Sequence, residues 1–147
     1  MNADGWSTAV AVLRVATQLV EGIDDGARRR GFDDVRPAHG FAFARISVGD
    51  ATTADVAVHL GITKQAAAQL VDHLVERGYV ERRPDPRDRR ARLLVLTERG
   101  WACTAAAEQA AAETVERWKD QLGPSVYGHL AQALEVLAEP GRLRPLW

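Results

Sequence analysis

Residues 52–78 read TTADVAVHLGITKQAAAQLVDHLVERG, and this stretch restricts the fold more than any other part of the chain. Thr52 is placed to cap a helix, with Asp55 three residues on in the position of a capping-box partner. Val56, Ala57 and Leu60 then fall on one face, and Gly61 stops the helix. After a break of only three residues, Thr63 caps a second helix with an inner stripe of Ala67, Leu70, Val71 and Leu74, ended by Gly78 as a left-handed stop. Two short amphipathic helices joined through so tight a glycine-bearing turn form a helix-turn-helix. The second helix of such a pair presents its N-terminal outer face to a DNA major groove. Here that face carries Thr63, Lys64, Gln65, Ala66, Ala68 and Gln69, with Asp72 and His73 one turn later and better placed for a phosphate or solvent. A glutamine pairs bidentately with adenine, a lysine reaches guanine or a phosphate, and alanines allow close approach and contact with thymine methyls.

Directly after Gly78 come two runs of β-forming character, YVERR and RARLLVLT, on either side of PDPRD. They predict a hairpin with a long charged tip, since the prolines stiffen that tip and lack the N–H a sheet interior requires. From Arg82 to Arg90 the segment RRPDPRDRR packs five arginines and two aspartates around two prolines. A hairpin following a DNA-reading helix projects its tip sideways toward the minor groove, where arginine is favoured. Asp88, two residues before Arg90, is expected to hold the Arg90 guanidinium in one orientation, with Arg87 and Arg89 flanking.

The remaining segments are helical. Trp6 to about Arg30 carries Val12, Val15, Leu19 and Ile23 at spacings of three and four, widened by Val10, Leu13 and Val20, and ends at Gly31. So broad an apolar band predicts contact with more than one neighbour. Pro37 suits the first turn of RPAHGFAFARIS, in which Phe41 and Phe43 are bulky packing candidates. Thr97 caps a long alanine-rich helix, Gly123-Pro124 breaks it, SVYGHLAQALEVLA forms a last helix, and EPGRLRPLW is expected to be irregular. The expected fold is mainly α with a small β-hairpin wing.

The segment TKQAAAQLVDHLVERGYVERRPDPRDRRARLLVLTERG resembles the core of the MarR family of winged helix-turn-helix transcriptional regulators. Its marks are RGYVER after the reading helix, then DPRDRR, then a strand closing on LTERG; with RPAHGFAFARI and TTADVAVHLGI the likeness runs from about residue 36 to 100. The resemblance implies one MarR-like domain over residues 1–147. In it, helices at about 6–30 and 98–147 dimerise and two winged lobes grip a pseudo-palindromic duplex. It makes Asp88 and Arg90 the wing's aspartate–arginine pair, and Arg90 the minor-groove residue. Many members carry hydroxyl residues and an arginine where this chain has Ala66, Ala68 and Gln69, which alters the operator that is read. The family's habit of losing DNA affinity on binding a small aromatic or amphipathic effector makes His39, Phe41, Phe43 and Trp101 candidate lining residues. The implied function is a homodimeric repressor relieved by such an effector. A winged-helix module binding an acidic protein surface, and a ligand-binding protein without operator binding, are the alternatives.

Global charge does not reveal a nucleic-acid partner, because the formal net charge is −1; what matters is distribution, and the basic residues concentrate mid-chain. Nearly all are arginine, Lys64 and Lys119 being the only lysines. Cys103 is the sole cysteine, so no intramolecular disulfide forms, which fits a reducing cytoplasm. Some members sense peroxide through a cysteine near the N-terminal helix; Cys103 lies elsewhere, and an inert, partly buried thiol is expected. The start lacks a signal-peptide pattern and no run is long enough to span a bilayer, so a cytoplasmic location without membrane attachment is expected. His39, His59, His73 and His129 show no metal-ligand spacing, and neither a phosphate-binding glycine loop nor a nucleophile elbow is present. The chain is therefore read as a non-enzyme without cofactor or metal.

Overall fold

In the computed structural model, which describes residues 3–138, eight elements follow one another. They are α1 (Ala3–Arg29), α2 (Pro37–Ser47), α3 (Thr53–Leu60), α4 (Lys64–Glu76), β1 (Val80–Asp85), β2 (Asp88–Leu96), α5 (Glu98–Leu122) and α6 (Pro124–Leu137). The described residues divide into two compact units, one of residues 34–105 and one combining residues 3–33 with 106–138. The irregular tail expected from residue 139 onward lies outside the described residues. No helix among the described residues is long and apolar enough to cross a membrane.

Small residues set the packing of the helical unit. A Cβ on Gly26 would stand 2.3 Å from the Ala110 Cβ, so α1 crosses α5 at backbone contact distance. Ala27, Ala106, Ala110 and Thr114 are buried. Thr114 satisfies its hydroxyl by donating to the Ala110 carbonyl at 2.9 Å, and Arg30 secures the end of α1 by donating to Gln109 and pairing with Glu113. The broad apolar band of α1 finds fewer neighbours than its width predicts. Trp6 is 70% exposed, and Val12, Leu13 and Val15 are exposed with it. No residue of α6 is buried, and Val136 is 85% exposed. Among the described residues of one chain, nothing covers these faces.

The winged unit is built as the helix signals dictate. Thr52 accepts from the Asp55 N–H at 3.2 Å while Asp55 accepts from the Thr52 N–H at 2.8 Å, completing the capping box. Hydrogen bonds from Thr52 hold the Asp55 carboxyl below its ordinary range. Gly61 (φ 69°) ends α3, Thr63 caps α4 by accepting from the Ala66 N–H at 3.1 Å, and Gly78 (φ 74°) ends the turn after α4. Val56, Ala57, Leu60, Ala67, Val71 and Leu74 enter the core as expected, while Leu70 is only half-buried.

Tyr79 is the centre of this unit. Its ring is fully buried and lies 5.7 Å from that of Phe43. Its hydroxyl donates to Asp34 and accepts from Arg99 at 2.9 Å, and the Arg99 guanidinium also sits 4.5 Å from the ring centroid. Asp34 draws in Arg77 and Arg99 at 3.5 and 3.6 Å. The Tyr79 hydrogen bond, aided by both arginines, lowers the Asp34 carboxyl. Burial, with Asp34 beside it, pushes the Tyr79 phenol up to about 12. The start of α5 packs tightly here: a Cβ on Gly100 would meet the Tyr79 carbonyl oxygen at 2.3 Å, so the LTERG glycine is a contact requirement.

Candidate nucleic-acid interface

Helix α4 turns one face inward through Ala67, Val71 and Leu74 and leaves Lys64, Gln65, Ala66 and Gln69 exposed, with Ala68 half-buried at the edge. The first turn contains no acidic residue, so the positive end of the helix dipole and Lys64 act together on an approaching phosphate. One turn further Asp72 is exposed to solvent as expected, but both it and His73 also have protein partners. Asp72 pairs with Arg82 of β1, and His73 stacks on His39 of α2 with ring centroids 5.1 Å apart. Neither residue is therefore free for a phosphate. His39 itself accepts from the Arg36 N–H at 3.0 Å, and burial, reinforced by His73 and Arg36, brings its imidazole down to about 4.

The hairpin differs from the expected long charged tip, since only Pro86 and Arg87 lie between the strands. Strands β1 and β2 pair from Val80↔Leu96 to Pro84↔Arg92, and then directly at Asp85↔Asp88. Pro84 and Asp85 are consecutive, but their partners Arg92 and Asp88 are four apart, so Arg89, Arg90 and Ala91 form an excursion on β2 with no opposite number. The break lies beside Pro84, whose fixed φ restricts the strand there. Two groups brace the excursion. The Asp88 carboxylate accepts from the Arg90 backbone N–H at 2.9 Å, and Arg92 donates to the carbonyls of Arg89 and Ala91 at 3.3 and 3.2 Å.

Asp88 thus positions the Arg90 main chain and does not hold its guanidinium, contrary to expectation. The reason is local: an aspartate in a tight turn reaches the N–H two residues on more readily than the end of a long side chain. The arginine whose guanidinium is held is Arg87. Asp85 accepts from both its N–H (2.9 Å) and its Nε (3.2 Å), and Asp50 lies 3.3 Å from its Nη1. Asp85 was overlooked although Asp85-Pro86-Arg87 repeats the spacing of Asp88-Arg89-Arg90. Asp50 carries a weaker signal, an aspartate after Gly49 in the short loop before the helix-turn-helix.

The wing's arginines consequently divide. Arg82 is paired with Asp72, Arg83 with Glu81, and Arg87 with Asp85 and Asp50, while Arg92 is turned to backbone carbonyls. Of the wing's arginines, the exposed Arg89 and Arg90 keep guanidinium groups without a partner among the described residues, and they stand side by side on the excursion.

The four residues expected around an effector lie apart in character. Phe43 is core, packed against Tyr79, and His39 is buried in its stack with His73. Phe41 is half-buried and Trp101 is 50% exposed. Cys103 is buried, and that burial pushes its thiol up to about 11.

Comparison with known proteins adds three findings. The MarR family model matches residues 35–91. The transcriptional regulator PetP of Rhodobacter capsulatus is 32% identical over 85 residues, 58% of this chain and 51% of PetP, so the chain matches about half the length of that relative. Among solved structures, a variant of MarR from E. coli complexed with operator DNA superposes with a TM-score of 0.67 at 20% identity, covering 89% of this chain and 93% of that one. CouR from Rhodococcus jostii, bound to p-coumaroyl-CoA, gives 0.69 at 22%, covering 97% and 99%. At these identities the structural likeness is one of fold.

Proposed function

We propose that this chain, whose winged helix-turn-helix matches the MarR family model over residues 35–91, is a homodimeric, sequence-specific DNA-binding transcriptional regulator of that family. The observation that carries this reading is the juxtaposition of two unneutralised basic features in one unit. The N-terminal face of α4 is exposed and free of acid, and Arg89 and Arg90 are the wing arginines left unpaired. Thr63, Lys64, Gln65, Ala66, Ala68 and Gln69 read base edges and anchor a phosphate in the major groove. Arg90, with Arg89 beside it, enters the minor groove, its main chain positioned by Asp88.

The exposed apolar faces of α1 and α6 support self-association. Trp6, Val12, Leu13 and Val15 on one helix and Leu134, Val136 and Leu137 on the other make a surface a lone subunit would not keep in water. A twofold dimer reads half-sites about one helical turn, ~10 bp, apart. Repression relieved by a small aromatic or amphipathic effector completes the reading, as the ligand-bound CouR structure supports. Such a ligand must favour an arrangement of the two lobes that mismatches the operator. Phe41 and Trp101 are its first contacts, with His39 and Phe43 behind them. The chain acts without catalysis, in the cytoplasm.

Selection of bound fragments from genomic DNA, followed by titration at several salt concentrations, tests the proposal. If the dimer neutralises on the order of 6–8 phosphates, log affinity falls against log salt with a slope of roughly −5 to −7. A stable monomer with no preference for any duplex at low ionic strength would refute it. Salt-insensitive binding would direct attention to a small-molecule carrier, and capture of an acidic protein in place of DNA to an interaction module.

A further inference from the structure

The Arg87 guanidinium lies among carboxylates from two different places in the chain. Asp85 belongs to the end of β1 and is buried, and it grips Arg87 through both backbone and side chain. Asp50 belongs to the turn between α2 and α3, just before the helix-turn-helix. Asp50 is the only residue other than glycine with positive φ (50°) among the described residues, a conformation that costs a non-glycine residue on the order of 1 kcal/mol. One residue later, the Ala51 carbonyl accepts from the Leu94 N–H of β2 at 2.7 Å, the one bridge joining this turn to the hairpin. The turn and the wing are thus tied at two adjacent points, a buried backbone bond and an outer ion pair.

We infer that Asp50 and Arg87 form a latch fixing the angle at which the wing leaves the helix-turn-helix, and that Arg87 positions Arg89 and Arg90 without itself contacting DNA. The inference rests on the DNA-binding reading above and deepens it. Both latch side chains are well exposed, 63% for Arg87 and 69% for Asp50, so the pair adds little to stability. Its effect is on geometry: a two-stranded ribbon is free to swing about its base, and a hinge held at two points swings less than one held at one. The latch sits at the tip end of the hairpin, where a small angular change moves the Arg89–Ala91 excursion furthest.

The two possible roles of Arg87 predict opposite signs for one substitution. Asparagine tolerates the same left-handed backbone, so Asp50→Asn removes only the charge. If Arg87 contacted DNA, losing a neighbouring carboxylate would strengthen binding. A latch predicts weakening by about three- to tenfold, the scale of re-immobilising one or two flexible side chains per subunit. Arg87→Gln should weaken binding to a similar degree, the double variant should be no worse than either single one, and the salt slope should stay unchanged. A lost direct contact instead reduces the slope by about 1 for each phosphate released.

A second readout needs no DNA. Amide exchange at Leu94, whose N–H bonds Ala51, should accelerate several-fold in Asp50→Asn, while exchange at Val71 and Leu74 in α4 stays at the wild-type rate. Tighter or unchanged DNA binding by Asp50→Asn overturns the latch, and so does unchanged Leu94 exchange. Should the wild-type protein bind no duplex at all while Leu94 exchange accelerates in the variant, the latch stands and the DNA-binding reading falls.

Discussion

Replacing Gly26 by alanine sets two well-characterised effects against each other. In a helix interior alanine is favoured over glycine by about 1 kcal/mol, so propensity alone predicts stabilisation. The crossing predicts the reverse. The new Cβ would lie 2.3 Å from the Ala110 Cβ and 3.3 Å from its Cα, against an ordinary carbon–carbon contact of about 3.5–4.0 Å. The obstructing atom is fixed to the α5 backbone and has no rotamer to change, so the helices themselves must part by more than ~1 Å. Overpacking of this kind costs about 1–3 kcal/mol, and a displacement of whole helices belongs at the upper end. Packing therefore wins, with a net loss of about 2 kcal/mol, or roughly 4–8 °C in Tm for a chain of this size. Ala110→Gly alone should cost about 1–2 kcal/mol through lost propensity and a lost buried methyl. Combined, the two changes move one methyl across the interface and should come within about 1 kcal/mol of wild type, a coupling of about 2–3 kcal/mol. Urea unfolding followed by helical circular dichroism measures the cycle, at one fixed subunit concentration because self-association couples to stability. Additive costs, or a Gly26→Ala variant at least as stable as wild type, would refute the reasoning.

Other expectations follow from the same contacts. Gly100→Ala should also destabilise the protein, by about 1–3 kcal/mol, since its Cβ would meet the Tyr79 carbonyl oxygen and a backbone atom cannot turn aside; a raised unfolding midpoint would contradict this. Arg90→Ala should weaken duplex binding at least about tenfold with unchanged thermal stability; unchanged affinity would remove the wing from the mechanism. His39 is held down to about 4, so it stays neutral in the folded chain while the unfolded chain gains a proton below about 6.5. Its contribution is complete above that value and is lost as pH falls toward 4. The loss should reach on the order of 2–3 kcal/mol, read by urea unfolding at pH 5 to 7, and should vanish in His39→Asn. Cys103, buried with its thiol raised to about 11, should react with peroxide or a maleimide only as fast as the protein opens, and rapid labelling of native protein would overturn that.

Local signals in the sequence were sufficient where a structure depends on neighbours in the chain. Thr52, Asp55, Gly61, Thr63 and Gly78 each act within a few residues, and each occupies the cap or stop its chemistry predicts. The apolar stripes of α3 and α4 likewise point inward as their spacing requires. What could not be read was set by contacts distant in sequence. The His39–His73 stack joins residues 34 positions apart, and the Asp34–Tyr79–Arg99 cluster draws on three separate segments. Nothing in the periodicity of any one of those segments announces the others.

The wing shows why a correct motif still assigned a wrong partner. The segment contains the Asp-x-Arg spacing twice, and sequence alone treats the copies as equivalent. Strand register separates them. At Asp85 the side chain is buried, and its carboxylate faces the turn and captures the whole of Arg87. Asp88, the register partner of Asp85, is exposed and leads straight into the unpaired excursion, and its carboxylate closes on the nearest N–H, leaving the Arg90 side chain free. The excursion thus decides which arginine is held in place and which is presented. If the fixed φ of proline drives the break, Pro84→Val should extend pairing toward the tip and draw Arg89 and Arg90 into the ladder. Binding to the selected duplex would then weaken even as the hairpin becomes more resistant to unfolding. Amide exchange along β2 reads the pairing and a duplex titration reads the consequence. A variant that lengthened the ladder without loss of affinity would show that the excursion is not what presents the arginines.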